Sequence, residues 1–349
     1  MSIHLINLPR RIVVGDGVLK MLGNTCRELG FHGNLMVVTG DMTLQAAGNE
    51  ALSALSSAKI DYDLVVIDDP DAGWVEKVVK LAQDKRPSAI IGVGGGSIID
   101  VAKLAAAKTG LNFVSVPTSA SHDGIASPRA SVKGLGTYGS VEAQTPSAII
   151  ADVSVIKRAP RRLIISGCGD VVAKITAVSD WLLAHRLKGE YYGEYAASLA
   201  RMSAHLVMKS AREIANLTDE GIRTLLEALV SCGVAMCIAG SSRPCSGSEH
   251  QFSHALDIVA SRPALHGEQC GVGTIMMAYL HGLDWRRIRS VLRSIGAPTN
   301  AEGLKVSSKM VIKALTMAHK IRDRYTILGE TGLTESAAER LARVTGVIE

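Results

Sequence analysis

Three short segments in the second half of the chain carry side chains that can hold a metal ion. Gly167-Cys168-Gly169-Asp170 supplies a carboxylate, Glu249-His250-Gln251-Phe252-Ser253-His254 supplies two imidazoles, and His266-Gly267-Glu268 supplies a third. On a helix, His250 and His254 stand four residues apart and share one face, while His266 opens a new segment after Pro263. One carboxylate and two imidazoles with an open position make a catalytic zinc site. Such an ion polarises an alcohol or carbonyl oxygen as a Lewis acid. Spacing alone leaves open which two of the histidines bind. The HExxH pattern of zinc proteases does not occur, so peptide hydrolysis is not supported.

A second chemistry lies upstream. Residues 91–103 read Ile-Gly-Val-Gly-Gly-Gly-Ser-Ile-Ile-Asp-Val-Ala-Lys. The expected geometry is a buried strand running into Gly94-Gly95-Gly96 and a helix starting at Ser97, with Ser97 as its N-cap. Glycines let the backbone take positive φ and approach a ligand, and the first free amides of a helix hold a pyrophosphate. The run is only a partial GxGxxG, because Ser97 stands at the third glycine position, and it follows several earlier strands rather than the first. The acidic residue for the adenosine ribose is therefore sought upstream, at Asp41. A second loop, Val116-Pro117-Thr118-Ser119-Ala120-Ser121-His122-Asp123-Gly124, is rich in short hydroxyls. It can bond a diphosphate or ribose without bulk, and Asp123 can accept from a substrate hydroxyl. An ordinary capped turn has the same composition.

These residues need a scaffold, and the two halves of the chain read differently. Leu35 to Thr39, Tyr62 to Ile67, Ser88 to Val93 and Asn112 to Val116 read as strands, with a helix predicted over Trp74 to Lys85. Continuous apolar strands separated by helices indicate a parallel sheet covered on both faces. Ala130 to Val155 is expected to contribute a hairpin and one further strand. After Ala159-Pro160, helical periodicity dominates, over Tyr191 to Leu217, Arg223 to Ala239 and Lys309 to Tyr325. The division expected is a dinucleotide-binding α/β domain over residues 1–159 and an all-helical metal- and substrate-binding domain over 160–349, with the active site in the cleft between them.

The 349 residues suit about two domains. A hydrophobic fraction of 47% against 20% charged allows a sizeable core. The net charge of +5 suits an anionic substrate, but three Phe and three Trp among scattered basic residues give poor support for nucleic-acid binding. The first residues show no basic-then-apolar leader, and no stretch approaches the ~20 uninterrupted apolar residues of a membrane helix. A soluble cytoplasmic protein without membrane insertion is expected. The six cysteines contain no CxxC pair and read as reduced, mostly buried thiols.

Taken together, the segments resemble the superfamily of iron-containing alcohol dehydrogenases, glycerol dehydrogenases and dehydroquinate synthases. GGGSIIDVAK, the PTSAS loop, Asp170 and the histidine pair followed by His-Gly-Glu stand in that family's order. Within it, the resemblance is greatest to the archaeal branch acting on sn-glycerol 1-phosphate. LPRRIVVGDGVL near the start, SHDGIASPRASVKG at 121–134, GCGDVVAK at 167–174 and GSEHQFSHALD at 247–257 carry it.

The resemblance implies an N-terminal Rossmann-like α/β domain with a parallel sheet and an all-α C-terminal domain. It implies Asp170, His250 and His266 as ligands of one Zn²⁺ per subunit. His254 and Asp123 become catalytic, substrate-side residues, with Asp170 also touching substrate. It implies Gly95, Gly96, Ser97, Ile98, Asp100, Thr118, Ser119, Ser121 and Ser127 as contacts of NAD(H) or NADP(H), with Asp41 added from the ribose argument. The implied reaction is the reversible reduction of dihydroxyacetone phosphate to sn-glycerol 1-phosphate, the backbone of archaeal ether lipids, by a homo-oligomer. Two rivals belong beside it. A glycerol or other polyol dehydrogenase would lack a phosphate pocket. A lyase of the dehydroquinate synthase type typically carries glutamate where this chain has Asp170. For the substrate phosphate the candidates are Arg129, Lys133 and Arg162, each of which also reads as ordinary surface charge.

Overall fold

The computed structural model describes residues 4–135 and 140–349. Residues up to Pro160 form one compact unit and Arg161–Glu349 a second. The first unit is built on eight strands, β1 (Arg11–Gly15), β2 (Leu35–Gly40), β3 (Tyr62–Ile67), β4 (Ala89–Gly94), β5 (Asn112–Pro117), β6 (Arg129–Ala130), β7 (Val141–Glu142) and β8 (Ala148–Asp152). Six of them form a parallel sheet in the order β1-β8-β5-β4-β2-β3. β2 and β4 are buried along their whole length, which is why they read as unbroken apolar runs rather than alternating ones. β6 and β7 make the short antiparallel hairpin expected before β8; part of its connection, residues 136–139, lies outside the described residues.

Periodicity did not single out β1. Its apolar core is only Ile12-Val13-Val14 behind two arginines, and it pairs along one side only, with β8, at the sheet edge. The helix Ala72–Lys85 buries Val75, Val78 and Ala82 but leaves Leu81 exposed.

The strand order reverses between β2 and β4. The chain leaves β2 toward β3 on one side and β4 toward β5 on the other. Ligands of open α/β sheets bind at the carboxyl ends of the strands at such a switch point. Register places Thr39 beside Val93 and Gly94 beside Pro117, so Asp41, Gly95 to Ser97 and the Thr118 loop all leave from one edge of the sheet.

Among the described residues the second unit contains helices and no strand. Its longest helix, Asp219–Ala239, is long and apolar enough to cross a membrane, and 67% of its most apolar stretch is buried inside the protein. The helix Arg161–Val172, which carries Asp170, crosses the helix His266–Leu280 at Gly169 and Gly267. The helix Ser248–Val259, which carries His250 and His254, is fixed at its start by Asp180. That buried carboxylate accepts from both the amide and the hydroxyl of Ser248 at 2.6 Å, and its other oxygen accepts from the Ile327 amide at 2.7 Å.

Two predicted helices are shorter than expected. Tyr191 to Leu217 is a helix over Glu194–Lys209 and a separate short one over Ala211–Ala215, because Ser210 leaves the helical backbone between them (φ −91°, ψ 19°). Lys309 to Tyr325 is helical only over Ser308–Met317, followed by a 3₁₀ turn at Ala318–Lys320. The chain leaves the helix there because its polar groups bond elsewhere. Arg322 donates to Ser246, Arg324 to Ser242 and Ser246, and Thr326 to Gln251.

Candidate active site

In the first unit, the helix after β4 runs over Gly96–Thr109 and is capped by Gly95 (φ −70°, ψ 176°), not by Ser97, which sits inside the first turn. The first helical bond is Ile99 N to Gly95 O at 3.1 Å, so the amides of Gly96, Ser97 and Ile98 precede it and face outward along the helix axis. Positive φ is not what the three glycines supply, since none of them adopts it. Two answer to crowding instead. A Cβ on Gly94 would lie 2.6 Å from that of Ile98, and one on Gly96 would lie 1.8 Å from His122 Nε2. Gly95 differs, because the nearest atom to its imagined Cβ is Ser119 Oγ at 3.6 Å. Ser119 Oγ is buried and has no hydrogen-bond partner among the described residues. An orphaned hydroxyl beside bare backbone at a helix start suits a diphosphate, so the residues present fit a dinucleotide cofactor.

Around this turn, Thr118, Ser121 and Ser127 are all buried, and the Thr118 amide donates to Gly94 O at 2.9 Å. Asp41 is exposed and begins a helical turn directly after β2. Asp100 is buried, and its carboxylate accepts from Lys103 Nζ at 3.1 Å and from the Ser131 amide at 2.8 Å. Lys103 also donates to the carbonyls of Gly124 and Arg129, each at 2.6 Å. This pair therefore clamps the loop that carries Asp123 and Ser127. The backbone carbonyl of Asp123 accepts from Ala126 and Ser127 at 3.0 and 3.1 Å.

In the second unit, the structure gathers Asp170, His250 and His266, together with Cys270. The ligand atoms of His250, His266 and Cys270 lie within 4.8 Å of one another. His250 Nε2 is 3.4 Å from Asp170 Oδ1. The crossing of the two helices at Gly169 and Gly267 explains the gathering, because Asp170 and His266 are the chain neighbours of those glycines. His254 turns its nitrogens elsewhere. Nδ1 lies 3.6 Å from Asp257 Oδ2, Nε2 lies 3.3 Å from the Arg322 guanidinium, and the ring stacks on His266 at 5.5 Å.

Charge in the cluster is finely divided. Burial works against the Asp170 carboxylate, but Lys174, whose Nζ donates to Asp170 Oδ1 at 2.7 Å, and then His250 and His266 outweigh it and hold the group well below the usual range. Burial likewise opposes charge on His250, yet Cys270, Asp170 and Glu249 hold it well above its ordinary value. Burial, seconded by Arg322, lowers His254 despite its hydrogen bond to the Asp257 carboxylate, which pulls the other way. Two imidazoles, a carboxylate and a nearby thiol that together favour positive charge form the donor set of a borderline divalent ion such as zinc. They do not resemble the all-oxygen set of magnesium or calcium.

Sequence reasoning missed three participants. Glu249 is fully buried, with one oxygen 2.7 Å from His250 Nδ1 and the other accepting from Thr176 at 2.7 Å. It directs Nε2 of His250 at the cluster, as outer-shell carboxylates do for ligating histidines. Its adjacency to His250 was visible in the sequence, but its direction was not. Cys270 lies four residues after His266 on one helix, with Sγ 3.6 Å from His266 Nε2; that spacing was the available signal. Arg322 had none. Of the phosphate candidates, Arg129 bonds Ser140 O at 2.7 Å, Lys133 lies 3.6 Å from Asp69, and Arg162 grips Glu268 through two 2.7 Å bonds.

The geometry finds its counterpart among known proteins. A profile of the iron-containing alcohol dehydrogenases matches residues 13–160. Glycerol-1-phosphate dehydrogenase [NAD(P)+] of Pyrococcus furiosus is 52% identical over 346 residues, covering 99% of this chain and 100% of that protein. The Methanothermobacter thermautotrophicus protein of the same name is 54% identical over 346 residues, covering 98% and 99%. Among solved structures, glycerol dehydrogenase from Schizosaccharomyces pombe superposes with a TM-score of 0.81 at 19% identity, covering 99% of this chain and 91% of that one, which shows a common fold. On identity sustained over nearly the whole length, the chain belongs to the glycerol-1-phosphate dehydrogenase family.

Proposed function

We infer that this protein is an NAD(P)-dependent dehydrogenase that interconverts dihydroxyacetone phosphate and sn-glycerol 1-phosphate, the latter serving as the backbone of archaeal ether lipids. The observation that carries the reading is the 52% identity, over 99% of the chain, to an enzyme named for that activity. The cluster of Asp170, His250 and His266 and the cradle at Gly95 support it from the chemistry.

When bound, the nicotinamide supplies or accepts the hydride and the metal supplies Lewis acidity. The chain does the rest. The amides of Gly96, Ser97 and Ile98 and the hydroxyls of Thr118, Ser119, Ser121 and Ser127 hold the cofactor's diphosphate and ribose. Asp41 takes the adenosine ribose, and Asp100 keeps the loop in place. Asp170, His250 and His266 hold zinc. Asp123 accepts from a substrate hydroxyl, and His254 hands over the proton that the C2 oxygen gains on reduction. The reading brings with it a soluble, cytoplasmic homo-oligomer, which fractionation and sedimentation check.

The test is NADH oxidation by the zinc-loaded protein, with dihydroxyacetone phosphate and dihydroxyacetone compared side by side. Strong preference for the phosphate, with product of the sn-1 hand, is expected. Preference for the unphosphorylated ketone would make the protein a glycerol dehydrogenase, and no oxidation of NADH with either would leave the lyase chemistry of dehydroquinate synthases.

A further inference from the structure

We infer that Arg322, backed by Arg324 and braced on the turn Ser242 to Ser246, receives the phosphate group of the substrate. The inference rests on the function proposed above and adds to it the residue that distinguishes a phosphorylated substrate from a bare polyol.

The geometry comes first. The Arg322 guanidinium lies 3.3 Å from His254 Nε2 and 3.3 Å from Ser246 Oγ. His254 in turn stacks on His266 of the metal cluster. One imidazole thus separates a guanidinium from the place where a metal would hold the reacting oxygen. In dihydroxyacetone phosphate the C2 carbonyl and the phosphate are likewise close neighbours, joined through the single C3 methylene and its ester oxygen.

Charge points the same way. Arg243, Arg322 and Arg324 converge on one turn. Arg243 is paired with Glu190 and donates to Tyr325 O at 2.8 Å. Among the described residues Arg324 donates to two neutral groups, the Ser246 carbonyl and the Ser242 hydroxyl. Burial, then repulsion from Arg322 and Arg243, pulls Arg324 down to about 9 against the smaller opposing pull of Glu249 and Glu190. Guanidinium groups packed this closely repel one another, and an added anion relieves that repulsion. A phosphate dianion meets that need, and the planar guanidinium is suited to gripping two of its oxygens at once. The earlier candidate in the same unit, Arg162, is already committed to Glu268.

The experiment uses the full-length zinc-loaded enzyme, with Arg322→Leu and Arg322→Lys beside the unsubstituted protein. For each, kcat and KM are measured with dihydroxyacetone phosphate and with dihydroxyacetone, and inorganic phosphate is titrated as a competitive inhibitor. Loss of one charged hydrogen-bonding partner corresponds to a change on the order of 10- to 100-fold. In Arg322→Leu, KM for the phosphate ester and Ki for inorganic phosphate should both rise by that order. The preference for the ester over the bare ketone should collapse, and Arg322→Lys should recover part of it. Zinc content and the melting temperature report whether the fold is intact, and the lysine variant carries the test if the leucine one does not fold. Unchanged preference and unchanged Ki in the variants would overturn the inference while leaving the proposed activity standing. Absence of any preference in the unsubstituted enzyme would instead overturn the activity on which the inference rests.

Discussion

Gly169 and Gly267 meet where two helices cross, and neither has room for a side-chain carbon. A Cβ on Gly169 would lie 2.1 Å from the carbonyl oxygen of Gly267, and one on Gly267 would lie 1.8 Å from that of Ser166. Since Asp170 and His266 follow and precede these glycines, the backbone contact sets how closely these two side chains approach. Alanine favours a helix by up to ~1 kcal/mol over glycine, but forcing apart a packed crossing costs about 1–3 kcal/mol or more. Gly267→Ala should therefore lower the melting temperature and also weaken zinc binding. Calorimetry and chelator competition would check the pair of effects; a stable variant with unaltered zinc affinity would sink the argument.

The ligand set makes a second prediction. His250→Ala and His266→Ala should lose zinc and turnover together, whereas His254→Ala should keep zinc and lose turnover. Glu249→Gln should leave the ion bound but weaken it by roughly 10- to 100-fold, the usual effect of losing an outer-shell partner. Metal content by elemental analysis separates these outcomes. Loss of zinc from the His254 variant would overturn the assignment.

In the nucleotide cradle, neighbouring glycines should respond differently. Gly96→Ala drives a methyl into His122 and should destabilise the first unit. Gly95→Ala meets only Ser119 Oγ at 3.6 Å, so the melting temperature should hardly move while NADH affinity falls. Fluorescence titration with NADH tests this, and undiminished affinity in Gly95→Ala would place the diphosphate elsewhere.

Burial pushes the thiols of Cys26 and Cys168 up to about 12. The thiolate is the reactive form, and burial disfavours it at both positions near neutral pH. All six cysteines are buried. The native protein should react very slowly with a thiol reagent near neutrality and expose all six thiols once unfolded. Fast labelling of Cys26 or Cys168 in native protein, mapped by mass spectrometry, would contradict the core packing.

Much of the scaffold could be read from the sequence because it is local. β2 and β4 are buried on both faces, so each reads as an unbroken apolar run, and the glycine turn sits where one of those runs stops. The four-residue spacing of His250 and His254 likewise places them on one helix face. What escaped was non-local. β1 is a short edge strand whose partner, β8, lies more than a hundred residues away. The helix was expected to continue to Tyr325 because apolar periodicity persists, and the bonds that end it run from Arg322 and Arg324 back to Ser242 and Ser246. Ser97 was expected to cap its helix by residue type, but Gly95 takes that place. The four-residue spacing puts Cys270 on the helix face of His266, but its approach to His250, like the aim of Glu249, depends on contacts between helices far apart in the chain.

The bond between Lys174 and Asp170 has a consequence for how the enzyme is assembled. Both side chains are fully buried and 2.7 Å apart, so the carboxylate already has an internal counter-ion when the helices pack. Small zinc domains cannot fold until the ion arrives; a carboxylate with its own counter-ion removes that requirement, so this chain should fold without an ion. An ion held by Asp170, His250 and His266 should then be removable by a chelator without unfolding the chain.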